Sequence, residues 1–130
     1  MRVHVSDLTG KALDWMVSEA VDVAVVRRTG GMCCETVLMD VVANVPWSPS
    51  TNWDQGGPLI NTLCSRLASN GDRSGPDPET GNHYDDPHVW SACARFAGGY
   101  GQGKTALIAA MRAIVTAKLG EEVEVPEVLL

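Results

Sequence analysis

One glycine-rich segment has the residue types and spacing of a phosphate-binding loop. Residues 98–105 read Gly-Gly-Tyr-Gly-Gln-Gly-Lys-Thr, so Gly98 and Gly103 are separated by four residues and followed by Lys104 and Thr105. A strand-like run precedes the segment and a helical pattern follows it, which is the context that such a loop requires. Under this hypothesis Lys104 contacts phosphate oxygens and Thr105 holds a magnesium ion.

The remainder of the chain argues against a nucleoside-triphosphatase. Such enzymes need further parallel strands and a strand-end Asp for the metal, whereas one helix and a short tail follow Thr105. A nucleotide- or phosphate-ligand protein that uses residues 98–105 therefore stays as an alternative function. Because the N-terminus of any helix attracts anions, a weaker anion site is predicted at Gly103, Lys104 and Thr105. No cofactor is expected.

A second group of residues has side chains that bind zinc, between positions 83 and 93. Histidine, carboxylate and thiolate are all zinc ligands, but the spacing matches no common structural zinc motif. The favoured interpretation is a solvated acidic loop, and a metal-binding protein that uses this region is a further alternative. The residues concerned are His83, Asp85, Asp86, His88 and Cys93.

Nucleophilic and acid–base catalysis have little support in the sequence. The Gly-x-Ser-x-Gly elbow of hydrolases is missing, and no pair of carboxylates stands out. A pairing of Cys93 with His88 requires a geometry that sequence does not define. The sequence leaves the question of an enzyme open and leans towards a non-enzymatic protein.

A polar loop bracketed by two tryptophans carries the most positional information. Residues 47–60 read Trp-Ser-Pro-Ser-Thr-Asn-Trp-Asp-Gln-Gly-Gly-Pro-Leu-Ile. Short polar side chains bond their own backbone in turns, and Pro58 suits the first turn of a helix. The indoles either pack in the core, which is the commoner role of large aromatic residues, or help to form a recognition surface. That surface would comprise Trp47, Ser50, Thr51, Asn52, Trp53, Asp54 and Gln55.

The same stretch resembles the signature of the phage NinX-like family, a tailed-phage and prophage family of unknown function. Residues 3–17 resemble the start of the family's sequences, and residues 107–115 and 118–126 resemble their end. The resemblance implies a phage-encoded accessory protein of the bacterial cytoplasm. It offers no catalytic residues to transfer to this chain.

Composition limits the classes of partner. A net charge of −6 argues against sequence-independent nucleic-acid binding, which needs clustered Lys and Arg. No apolar run is long enough to span a membrane, and the first residues lack a signal-peptide pattern. The family resemblance implies a location in the cytoplasm of the bacterial host. Two of the four cysteines, Cys33 and Cys34, are adjacent, which favours reduced thiols over a disulfide framework.

Hydrophobic periodicity predicts one α+β domain over residues 1–130, with three main helices packed on a small, mostly antiparallel sheet. The helices are expected near 9–20, 58–69 and 105–119, and Ser6 or Thr9 caps the first. Strand-like composition is found at 1–5, 21–26, 32–45 and 89–97, with a hairpin turn at 27–31 and glycine-rich loop at 98–103. Residues 69–87 are expected to form a long loop that is either functional or mobile, and the acidic tail 121–130 either an edge strand or a frayed end.

The preferred function is that of a non-enzymatic phage accessory module. It would bind an unknown host or phage protein through residues 47–55 and 69–87, because elaborate loops accompany no assembled catalytic set. An oligomer is compatible with this hypothesis. The order of the strands and the identity of the partner do not follow from the sequence.

Overall fold

A computed structural model describes residues 2–30, 35–69, 90–126 and 129 of the chain. Within these residues the fold is α+β, as predicted. The helices are α1 (Gly10–Ala20), α2 (Trp53–Leu63) and α3 (Ala106–Leu119), and a 3-10 helix spans Val5–Asp7. The strands are β1 (Arg2–His4), β2 (Val25–Gly30), β3 (Glu35–Asp40), β4 (Val45–Pro46), β5 (Cys64–Ser69), β6 (Trp90–Ala94), β7 (Tyr100–Gly103) and β8 (Glu122–Glu124).

The described strands are divided among three small antiparallel sheets. Their orders are β1-β8, β2-β3-β4 and β5-β6-β7. The antiparallel pairing follows the prediction, and the division into three sheets is what the sequence did not show. Residues 122–124 of the acidic tail adopt the edge-strand alternative, because β8 pairs with β1 and Glu122 lies 3.3 Å from Arg2 in an exposed ion pair.

Helix α3 lies at the centre of the hydrophobic core. The Thr105 hydroxyl accepts a hydrogen bond from the amide of Ile108 at 3.2 Å, and Gly120, at φ 94°, ends the helix. Buried residues of α3 pack with buried residues of α1, so the predictions near 105–119 and 9–20 are confirmed. Members of this core include Leu8, Leu13, Met16, Val17, Ala110, Met111, Ile114 and Val115.

Residues 100–103 of the glycine-rich segment form a strand, so the loop predicted at 98–103 is wrong for those residues, while Gly98 and Gly99 precede the strand. From residue 99 onwards the glycines alternate along the chain, and side chains at Gly99, Gly101 or Gly103 would collide with α3. A Cβ at Gly99, for example, would lie 2.5 Å from the carbonyl oxygen of Ala113. Pairing with β6 and this close contact between strand and helix together fix the segment as β7.

The second helix was predicted too far along the chain. The Asn52 side chain accepts a hydrogen bond from the amide of Asp54 at 2.9 Å, so α2 begins at Trp53 and places Pro58 inside the helix. It ends at Leu63, and the next six residues form β5, which pairs with β6. The prediction of a helix near 58–69 is therefore wrong at both ends, because pairing between distant strands overrode a local helical pattern.

The predicted hairpin is confirmed in β2 and β3, whose register runs from Val25 opposite Asp40 to Gly30 opposite Glu35. The turn expected at 27–31 is wrong, because residues 27–30 belong to β2. Residues 31–34 lie outside the described part of the chain. The predicted long loop does so as well, apart from its first residue, which ends β5.

Candidate functional site

The polar loop at residues 47–55 is fastened to helix α1 by two hydrogen bonds. The indole nitrogen of Trp47 donates to the Asp14 carbonyl at 2.8 Å, and the Ser50 amide donates to the Asp14 carboxylate, also at 2.8 Å. All three residues are buried. Trp47 and Ser50, both predicted as binding-surface residues, are therefore placed beneath the surface as anchors.

The carboxyl group of Asp14 is buried under this loop at 4 % exposure. Burial raises the pKa of Asp14 to about 6, and the nearby hydroxyl and amide of Ser50 lower it by a smaller amount. The Ser50 hydroxyl lies near the Asp14 carboxyl group but outside the geometry of a hydrogen bond with it. It has no hydrogen-bonding partner among the described residues.

Gln55 clamps the loop from within. Its side-chain oxygen accepts from the Ser48 amide at 2.7 Å, and its side-chain nitrogen donates to the Pro46 carbonyl at 2.6 Å. The Ser48 carbonyl in turn accepts from the amides of Thr51 and Asn52, at 3.1 and 2.8 Å. The side chain of Gln55 therefore maintains the shape of the loop.

One large apolar side chain remains outside this hydrogen-bonded unit. Trp53 is 57 % exposed at the first position of α2, and its neighbours Thr51 and Asp54 are exposed as well. The helix start beneath it is fixed by the Asn52 cap. The structure thus presents an indole on a backbone that is held in place.

Two exposed valines lie on the connection between β3 and β4, and a third begins β4; we call residues 41–45 the apolar turn. Val42 is 86 % exposed, and Val41 and Val45 are also exposed. The Asp40 carboxylate accepts hydrogen bonds from the amides of residues 42 and 43 at 3.0 and 3.1 Å, and Asn44 adopts φ 57°. Asp40 and Asn44 are typical turn residues, but a strand was predicted here because the valines between them favour a strand.

The site predicted at residues 98–105 has a different geometry from a phosphate-binding loop. Residues 100–103 are extended in β7, and Gly103 is buried against α3. Lys104 is exposed, and the Thr105 hydroxyl is occupied by the Ile108 amide. The strand does not form the loop that surrounds phosphate, and the weaker anion site at Gly103, Lys104 and Thr105 stays a prediction.

Most of the proposed metal ligands, at positions 83–88, lie outside the described residues. Cys93, on β6, is half-buried, and Cys64, on β5, is buried; both are free thiols. Burial raises the pKa of the Cys64 thiol. Across residues 2–30, 35–69 and 90–126, no three His, Cys, Asp or Glu side chains are grouped so that they could hold a metal ion.

Comparison with known families relates this chain to a phage protein. The model of the family described as "Bacteriophage P22, NinX" matches residues 4–71, just over half of the chain. The chain belongs to this phage NinX family. A comparison with curated proteins finds no match.

Residues 4–71, which match the NinX family, include the apolar turn and the polar loop at residues 47–55 with Trp53. The glycine strand β7 and the C-terminal segments that resemble the family lie beyond residue 71 and outside the match. Among the described residues, none of the helices has the length and apolar character needed to cross a membrane.

Proposed function

We propose that this NinX-family protein is a non-enzymatic module that binds a host or phage protein through Trp53 and the apolar turn (residues 41–45). The observation that carries the proposal is the 57 % exposure of Trp53 above a loop whose polar groups bond one another. Tryptophan is enriched among the residues that dominate binding energy at protein interfaces. Its large apolar surface gains most from burial against a partner.

The anchoring of the loop supports a binding role for Trp53. Binding orders flexible segments at a free-energy cost, so a contact residue on a fixed backbone loses less on association. Here the backbone is already fixed by Asn52 at the helix start and by Gln55 across the loop. Such an arrangement is pre-organised to contact another molecule.

The apolar turn adds further exposed apolar surface to the proposed binding site. Gln55 bonds the carbonyl of Pro46, which follows Val45 directly in β4, so the turn and the Trp53 loop are joined by one side chain. Burial of the exposed valines against a partner would stabilise the complex by roughly 25 cal/mol per Å² of apolar surface removed from water. A protein partner with an apolar patch has the chemistry that fits both features.

Site-specific photo-crosslinking tests this proposal. The photoreactive residue p-benzoylphenylalanine replaces Trp53 in one variant and Tyr100 in the matched control, because Tyr100 is 50 % exposed but lies on β7. Both variants are expressed in phage-infected bacteria and irradiated. We expect a discrete crosslinked product from position 53 that is missing from position 100.

Competition and substitution complete this experiment. Excess wild-type protein should suppress the crosslink at position 53, whereas excess protein with Trp53→Ala should not. The circular dichroism of the Trp53→Ala protein establishes that it is folded. Equal crosslinking at both positions, or suppression by both competitors alike, would refute a binding role for Trp53.

A further inference from the structure

A polar cleft opens where β1, the 3-10 helix, β7 and α3 meet. Its volume is about 370 Å³, which falls in the range of small-molecule sites. Neither Trp53 nor the apolar turn contributes to it, so it is separate from the proposed protein-binding surface. The polar side chains that line it are those of His4, Ser6, Tyr100, Gln102, Arg112, Thr116 and Glu121.

Arg112 is the half-buried cation of this cleft. Its Nε and Nη2 donate to the Leu8 carbonyl at 3.1 and 2.9 Å, and its Nη1 donates to the Gln102 carbonyl at 2.6 Å. A guanidinium has five N–H groups, so one hydrogen on each terminal nitrogen remains after these three bonds. In the described part of the chain, no carboxylate forms a salt bridge with Arg112, although the negative charge of Asp7 acts on the guanidinium through space.

Tyr100 and His4 add hydrogen-bond donors to the same cleft. The Gln102 side-chain nitrogen donates to the Tyr100 hydroxyl at 2.8 Å, which leaves the phenolic hydrogen free to donate elsewhere. His4 Nδ1 accepts from the Ser6 amide at 3.2 Å, so the neutral ring carries its hydrogen on Nε2. The cleft therefore combines a positive charge with several donors.

We propose that this cleft binds a small organic oxyanion, that is, a metabolite-sized molecule with a carboxylate or phosphate group. Such a group has only acceptor oxygens, which match the remaining hydrogens of Arg112 and Tyr100. Glu121 lines the cleft and opposes the anion, which limits affinity. Tyr100 and Gln102 face away from the glycines that contact α3, and this position differs from the anion site predicted at Lys104.

Titration followed by amide NMR tests the assignment. The probes are 3-phosphoglycerate, inorganic phosphate and acetate, which separate phosphate from carboxylate recognition, in about 0.15 M salt to screen the negative charge of the protein. Saturable shifts are expected at the amides of residues 4–6, 98–102 and 112. Tyr100→Phe should weaken binding about 2- to 10-fold, because it removes one hydrogen bond.

Two charge variants determine where and what the protein binds. Glu121→Gln should strengthen binding about 2- to 5-fold by removing a like charge, and Lys104→Ala should leave it unchanged. All three substituted side chains are exposed, so the fold should be retained, which the same spectra verify. An unsaturable response, weaker binding after Glu121→Gln, or a loss of binding after Lys104→Ala would each overturn the proposal.

Discussion

The indole nitrogen of Trp47 and the backbone carbonyl of Asp14 are joined by a 2.8 Å hydrogen bond across 33 positions of the chain. The same aspartate accepts the Ser50 amide through its side chain. Asp14 of α1 thus holds both Trp47 and the middle of the loop that presents Trp53. The shape of the proposed binding surface depends on this buried attachment.

Replacement of Trp47 by phenylalanine should therefore destabilise the protein. The variant loses the hydrogen bond to Asp14 and leaves a small void, for an expected loss of about 1–3 kcal/mol in the free energy of unfolding. Trp53→Phe is the matched control, and its expected effect is within about 0.5 kcal/mol because Trp53 is largely exposed. Urea denaturation of both variants measures the difference, and equal losses would contradict the assignment of Trp47 as an anchor.

The buried carboxyl of Asp14 should make stability depend on pH. Its pKa is about 6 in the folded protein against a usual 3.8, so the folded state binds the proton more tightly than the unfolded state does. The stabilising contribution of Asp14 to the free energy of unfolding is then fully present below pH 3.8 and is lost as the pH rises through 6. The loss is on the order of 3 kcal/mol across this window.

Asp14→Asn isolates that contribution from the other carboxylates. Its amide oxygen can still accept the Ser50 amide, and the side chain carries no titratable proton. Urea denaturation between pH 4 and 8 should show that the wild type loses more stability than Asp14→Asn as the pH rises. Parallel pH profiles would mean that Asp14 does not titrate in this range.

Local signals in the sequence were sufficient for the helices whose ends are set by neighbouring residues. Thr105 and Gly120 define the two ends of α3 through a side-chain cap and a positive φ angle, in agreement with the helix predicted near 105–119. The hairpin of β2 and β3 also follows from composition that is local to it. The turn was predicted at 27–31, although residues 27–30 belong to β2. The side chains of Arg27 and Arg28 have no strong preference for either a strand or a turn, so they do not show where the strand ends.

Contacts between distant segments were what the sequence did not reveal. A glycine-rich loop and a glycine-faced strand share one composition, and only the packing of Gly99 and Gly101 against α3 distinguishes them. A signal was present, because glycine recurs at every second residue from 99 to 103, while alanine recurs every fourth residue at 109, 113 and 117 of α3. The alternation of glycines indicates one face of a strand, and the alanines indicate one face of a helix.

The burial of the two tryptophans around the polar loop did not follow from the sequence. The sequence identified the stretch with Trp53, but it could not assign Trp47 to the interior and Trp53 to the surface, since both are followed by polar residues. That assignment depends on Asp14, which is remote in sequence. The cleft around Arg112 was not predicted either, because its side chains come from both ends of the chain.

Arg112 should also contribute to stability, because it links three elements. Its guanidinium bonds the Leu8 carbonyl ahead of α1 and the Gln102 carbonyl in β7. Arg112→Met keeps much of the apolar stem and removes these charge-assisted bonds, for an expected loss of about 2 kcal/mol. Arg66→Met, at an exposed position of β5, is the matched control and should change stability little. Thermal unfolding compares them, and a similar effect of both substitutions would contradict the linking role.

Because β7 and α3 are in close contact, a side chain at Gly101 should destabilise the protein. An added Cβ there would collide with the carbonyl of Ala109 and the amide nitrogen of Ala113, both backbone atoms of a buried helix. Because neither can move without shifting α3, Gly101→Ala should lower the free energy of unfolding by roughly 3 kcal/mol or more.

Gly98→Ala provides the control that separates collision from backbone conformation. Gly98 adopts φ 65°, but an added Cβ there meets no atom within 4 Å, so alanine should lower stability by about 1 kcal/mol through strain alone. Urea denaturation of the two variants should therefore place Gly101→Ala well below Gly98→Ala. The reverse order would mean that residues 100–103 do not pack on α3 as a strand, and it would restore the interpretation of this segment as a loop available to a ligand.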